Sequence, residues 1–198
     1  MATKLIGLSG MAGAGKDFTF KYLHGRYHHR HQIKRASFAD GVRYEIEAIV
    51  GAGNEELPAI WNKPYPPEIR ALLQWWGTEL RRDQNPDYWV NYAFDELAKW
   101  SETIKEVNRK YNAELLYEPY AWVFTDVRFA NEAEGIRSRG GIIIEVQAAQ
   151  GVRARRLGGV LPPNHASEEI DFAPDGYIEN ENDHGDPSIP KVLLDYLG

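Results

Sequence analysis

The sequence predicts an α/β fold built on a mainly parallel sheet of about five strands with helices on both faces. Three observations predict it. Apolar runs at Leu5-Ile6-Gly7-Leu8, Ala121-Trp122-Val123-Phe124-Thr125 and Ile142–Val146 have the length and continuity of strands buried on both faces. Segments with helical spacing separate them, which is how parallel strands are connected. The first run also leads through a glycine-dense turn, Gly10-Met11-Ala12-Gly13-Ala14-Gly15, directly into a helical pattern opened by Lys16 and Asp17.

Composition sets the limits. With 198 residues, 43% hydrophobic and 26% charged, the chain suits one soluble domain. A net charge of −6 gives no electrostatic case for a polynucleotide partner. The absence of cysteine excludes disulfides, zinc-thiolate sites and thiol nucleophiles, and fits a reducing compartment. No apolar run approaches the roughly 20 residues of a membrane span. Met1 leads straight into the first strand, leaving no room for a signal peptide, so a cytoplasmic protein without a membrane partner is expected.

Taken in order, the first helix runs from about Lys16 to Tyr27. The following His28, His29 and His31 lack a flanking carboxylate and read as a solvated turn rather than a metal site. Ile33–Phe38 is a second strand, and Asp40 is placed as the cap of a helix over Gly41–Val50. Gly51–Pro67 reads as loop, Glu68–Arg82 as one helix, and a helix capped by Asp87 reaches about Arg109. A short helix over Asn131–Arg139 precedes the Ile142–Val146 strand. Ala148–Ala173 reads as a mobile, arginine-bearing loop, followed by a strand at Tyr177-Ile178-Glu179 and a helix over Ser188–Leu197. The segment from about 51 to 115 is expected as a helical insertion within a single domain, and about 148–173 as a lid.

Strand, G-x-x-x-x-G-K, helix is the context in which a glycine-rich turn binds phosphate. Backbone amides of Gly13, Ala14 and Gly15 converge on phosphate oxygens, the helix N-terminus adds a positive field, and Lys16 supplies a movable charge. Asp17 stands where a hydroxyl usually binds Mg²⁺. A carboxylate beside a triphosphate repels it unless a cation lies between, so Asp17 implies a Mg²⁺-dependent site. Thr19, two residues on, projects to nearly the opposite helix face and is a poor substitute ligand.

Asp126-Val127-Arg128 follows an apolar strand, where the strand ends of a parallel sheet face the ligand crevice. Asp126 is a second candidate Mg²⁺ ligand and Arg128 a phosphate ligand. Arg153, Arg155 and Arg156 form a basic cluster suited to closing on a migrating phosphoryl group. Arg43 is a candidate acceptor ligand. Gln74, Trp75 and Glu79 combine a flat ring with amide and carboxylate groups, as a nucleobase requires, while Trp76 has core spacing. His165-Ala166-Ser167-Glu168 reads equally as a lid hinge or a capped turn.

With these residues in place, the chain resembles the phage deoxynucleoside monophosphate kinases within the P-loop nucleotide kinases. The resemblance rests on LSGMAGAGKD, FADGVR, LLQWWGTELRRDQNPDYWV, FTDVRFANEAEGIRSRGG, the basic segment with HASEEID, and DGYIEN, in order along nearly the whole chain. It implies a P-loop kinase fold and transfer of the ATP γ-phosphate, with Mg²⁺, to a deoxynucleoside 5′-monophosphate. Lys16 and Asp17 would serve the donor. Arg43 and Arg128 would grip the acceptor phosphate, Gln74–Glu79 would border its base, and Arg153, Arg155 and Arg156 would close on the transferring group. Related kinases also allow a homodimer. Phe18 departs from the family pattern, where Thr often follows GKD. Other readings are a P-loop kinase for a different phosphorylated metabolite, of phosphomevalonate or dephospho-CoA type, and a slow ATP-binding switch without an acceptor pocket.

Overall fold

The computed structural model describes residues 3–27, 32–50, 65–159, 170–181 and 187–198. Five strands form one sheet: β1 (Lys4–Ser9), β2 (Ile33–Ala36), β3 (Ala121–Phe124), β4 (Ile142–Gln147) and β5 (Gly176–Glu179). Their order is β2-β3-β1-β4-β5 and every pairing is parallel. The central strand is β1, buried at every position after Lys4, with Ile6 beside both Val123 and Ile142. Among the described residues the α-helices are α1 (Lys16–Tyr27), α2 (Phe38–Val50), α3 (Pro67–Gln74), α4 (Tyr88–Tyr111), α5 (Ala130–Arg137), α6 (Gln150–Arg156) and α7 (Lys191–Leu197), with a π-helix at Trp75–Arg82. The expected α/β class, parallel sheet and five strands are all present.

The described residues fall into two compact units, Met1–Ser37 with Trp100–Gly198, and Phe38–Lys99. The first holds the whole sheet. Alternate residues of each strand serve opposite faces. On one face Ile6, Leu8, Val123, Ile144, Val146 and Ile178 pack with Leu23 of α1 and with Leu193 and Leu197 of α7. On the other, Ile136 of α5, Ile143 and Val127 come so close to Gly7 that a Cβ there would lie within 3 Å of all three. Each buried Leu or Ile contributes about 1.5–3 kcal/mol by leaving water.

Three element boundaries differ from expectation. The second helix begins at Phe38, so Asp40 lies in its first turn, where it pairs with Arg43 at 2.8 Å instead of capping. The single helix expected over Glu68–Arg82 changes from α to π at Trp75. Within the polar stretch after Ala148, Gln150–Arg156 is helical, because Arg153 and Arg156 share a helix face and find acceptors on it (below). The histidine cluster at 28–31, the proline-rich 51–64 and most of HASEEID lie outside the described residues.

Candidate active site

The turn between β1 and α1 takes the form that the sequence called for. Gly10, Gly13 and Gly15 all have positive φ, at 131°, 78° and 101°. An L side chain rarely adopts these angles. The Lys16 ammonium folds back over the turn, donating to the carbonyls of Gly10 and, at 3.2 Å, Met11. Asp17 is exposed in the first turn of α1, where the helix field favours a carboxylate. Thr19 is fully buried among core residues, as its spacing implied.

The outer side of the turn is tied to the rest of its unit. Asn180, directly after β5 and 2% exposed, donates from Nδ2 to the Ala14 carbonyl at 2.9 Å. Arg156 of α6 donates from Nη1 to the carbonyls of Gly13 and Ala14, both at 3.3 Å, and from Nη2 to that of Asn180 at 3.0 Å. Arg153 reaches the Ala12 carbonyl at 3.5 Å. Tied carbonyls fix the peptide planes of the turn, as an anion nest requires, and the Ala14 amide donates to the Met11 carbonyl at 3.1 Å. Two of the three arginines read as closing on the phosphoryl group are thus engaged with the loop itself, while Arg155 is exposed. The Asn180 tether was not anticipated. Its position immediately after a predicted strand was the available signal, since such positions line the ligand crevice.

Beyond β3 the chain stays beside β1, with the Val127 amide donating to the Leu8 carbonyl at 3.2 Å. That bond sets Asp126 and Arg128 next to the strand that feeds the phosphate turn. Asp126 accepts from the Ser37 hydroxyl at 2.7 Å. Glu132, buried at 2% exposure, accepts the amides of Arg128 at 2.8 Å and Phe129 at 3.2 Å, fixing the backbone that presents Arg128. Glu132 was also missed, because its role is visible only once the turn before α5 is closed.

Among the described residues no three His, Asp or Glu side chains gather into a metal cage. Mg²⁺ rarely needs one: it keeps waters and binds one or two carboxylates plus substrate phosphates. Asp126, oriented by Ser37, and Asp17 are oxygen donors of the appropriate kind. Beside the turn lies a cavity of about 390 Å³ lined by Met11, Ala14, Gln147, Arg153, Glu179 and Glu181, among others. Met11 and Ala14 come from the expected turn and Ala148, Ala149 and Arg153 from the expected lid segment, whereas Gln147 and the glutamates of its wall were not site candidates.

The remaining candidates belong to the second unit. Arg43 bonds Asp40, and its Nε is buried without a hydrogen-bond partner. Gln74, Trp75 and Glu79 are exposed, Trp75 at 47%. Trp76 is anchored by donating from Nε1 to Glu45 at 2.8 Å; Arg81 Nε at 2.9 Å and the Tyr88 hydroxyl reach the same carboxylate. Burial pushes the Glu45 carboxyl up, but the bonds from Tyr88, Trp76 and Arg81 outweigh it and hold it below the ordinary glutamate value. The same bond to Glu45, followed by burial, raises Tyr88.

The glycine turn with its lysine, set beside an acid and an arginine at the adjoining strand end, makes a site suited to binding phosphate. The chain is 28% identical over 154 residues, 72% of each chain, to a protein of Acanthamoeba polyphaga mimivirus named "Putative deoxynucleotide monophosphate kinase". No family model matches. Among solved structures, TT1252 from Thermus thermophilus superposes with a TM-score of 0.49 and 17% identity, covering 100% of this chain and 93% of that one. A sugar kinase from Janibacter sp., unliganded, gives 0.42 and 13%, covering 91% and 86%. No helix among the described residues is long and apolar enough to cross a membrane.

Proposed function

We propose that this protein transfers the γ-phosphate of ATP to a deoxynucleoside 5′-monophosphate in a Mg²⁺-dependent reaction. The observation that carries the reading is the phosphate turn with its carbonyls tied, beside an Asp126–Arg128 pair that the Val127–Leu8 bond holds at the adjoining strand end. The mimivirus relative's name supports the acceptor class.

On this reading the amides of Gly13, Ala14 and Gly15 and the Lys16 ammonium bind the donor phosphates. Lys16 exchanges its carbonyl partners for phosphate oxygens as they arrive. Mg²⁺, held by Asp126 and Asp17 through oxygen, would neutralise the developing charge. The cavity between Arg153 and Glu181 suits the donor's base, with Gln147 and the glutamates offering acceptors to an amino group. Arg128 of the first unit is the proposed ligand of the acceptor phosphate; on the second unit Gln74, Trp75 and Glu79 offer the groups that read a base, and Arg43 offers a cation for a phosphate. Arg155, exposed on α6, is the proposed cation for the transferring group. Transfer then rests on positioning and electrostatics, without a covalent enzyme intermediate.

The test is a panel of deoxy- and ribonucleoside monophosphates with coupled detection of ADP, repeated with Lys16→Ala. Turnover of at least one deoxynucleotide is expected, reduced by about a thousandfold or more in the variant. Turnover of none, with phosphomevalonate or dephospho-CoA accepted, would replace this reading with the other metabolite-kinase one.

A further inference from the structure

The second unit contains an unusual element, the π-helix Trp75–Arg82, and an unusual acid, Glu45, whose geometries explain one another. Trp76 Nε1 and Arg81 Nε both donate to Oε2 of Glu45, at 2.8 and 2.9 Å. These two residues are five apart. In an α-helix, positions five apart point about 140° away from each other. In a π-helix the backbone bond itself closes from i to i+5, as the Asp83 amide does onto the Thr78 carbonyl at 3.0 Å, so residues five apart come onto one face. The π register thus brings both donors to one carboxylate oxygen. The Tyr88 hydroxyl fixes the other oxygen, Oε1, from α4, and Trp89 Nε1 adds a bond to the Gly77 carbonyl at 2.7 Å.

The same register governs the exposed side of the element. Gln74 and Glu79 are likewise five apart, and Trp75 and Glu79 four apart. The π turn brings amide, indole and carboxylate onto one exposed face; an α turn would swing Gln74 well away from Glu79. We propose that Glu45 is a positioning residue that locks Trp75–Arg82 in the π register and so assembles the Gln74–Trp75–Glu79 face that recognises the base of the acceptor monophosphate. The acceptor half of this inference rests on the function proposed above; the register half stands by itself.

The experiment compares the full-length wild type with Glu45→Ala and Glu45→Gln. Glutamine keeps one oxygen for Trp76 and Arg81 and turns its amide to the Tyr88 hydroxyl oxygen, so it should rescue. In Glu45→Ala the KM for the preferred monophosphate is expected to rise about tenfold or more, with the KM for ATP within about twofold. Amide hydrogen exchange over 75–82 should quicken in the same variant, and Glu45→Gln should remain within about threefold of wild type on every readout. If Glu45→Ala does not fold, Trp76→Phe removes one donor and carries the same comparison. Unchanged exchange over 75–82 overturns the register lock, and equal rises in both KM values overturn the positioning role. A wild type that phosphorylates no monophosphate overturns the acceptor role together with the kinase reading, while the exchange comparison independently decides the register.

Discussion

Asp17 and Arg128 are residues whose chemistry follows from what stands beside them. A carboxylate exposed at the first turn of α1, next to a phosphate nest, is tolerable only with a cation present. Asp17→Asn is therefore expected to reduce transfer strongly and to sharpen its dependence on Mg²⁺ concentration, measured by titrating Mg²⁺ at saturating ATP. Full activity at low Mg²⁺ would remove the metal argument. Arg128→Ala should raise the KM for the acceptor about tenfold or more and leave that for ATP nearly unchanged, since one charge-assisted bond is lost on the acceptor side alone. Lys16, Asp17 and Arg128 were readable as candidates because each sits in a local pattern: a glycine turn, a helix start, a strand end. Asn180 and Glu132 were not, since their partners lie 166 residues away or depend on how a turn closes.

At the level of elements, α6 and the π-helix are the two pieces that periodicity misjudged. The basic stretch after β4 reads as loop in the sequence because it is polar and rich in glycine and arginine. The partners of Arg153 and Arg156 are backbone carbonyls of the phosphate turn, which no side-chain pattern encodes. Arg156→Ala should accordingly loosen the turn and raise the KM for ATP about fivefold to tenfold, with a smaller change for the acceptor; steady-state kinetics on both substrates will separate the two. The π register escaped notice for a related reason: apolar spacing over Glu68–Arg82 cannot distinguish a wider turn held by a carboxylate outside the segment. Glu45 also gives its unit a pH dependence. Its folded pKa is depressed, so its stabilising contribution is complete above the unfolded value near about 4.3 and is lost as pH falls through the lower folded value. Acid unfolding followed by tryptophan fluorescence should show a shallower slope between those two values in Glu45→Gln. An identical slope would mean that the carboxylate is not the group responsible.

For the molecule as a whole, the sheet was the legible part. Uninterrupted apolar runs at β1, β3 and β4 can be buried on both sides only in a parallel sheet, and those three strands are its centre. Strand order was beyond reach, because it is decided by which helices cover which face, and Gly7 reveals its close neighbours only after α5 is in place. The division at Ser37 and Lys99 was likewise invisible, as α4 runs through one of its boundaries without any break in pattern.

The tethers of the phosphate turn also dictate an order of events during synthesis. The glycine turn emerges from the ribosome 141 to 166 residues ahead of the groups that bond its carbonyls, Arg153, Arg156 and Asn180. Until Asn180 has been translated, the turn lacks the last of these tethers. Its final shape is thereby deferred until strand β5 has been delivered.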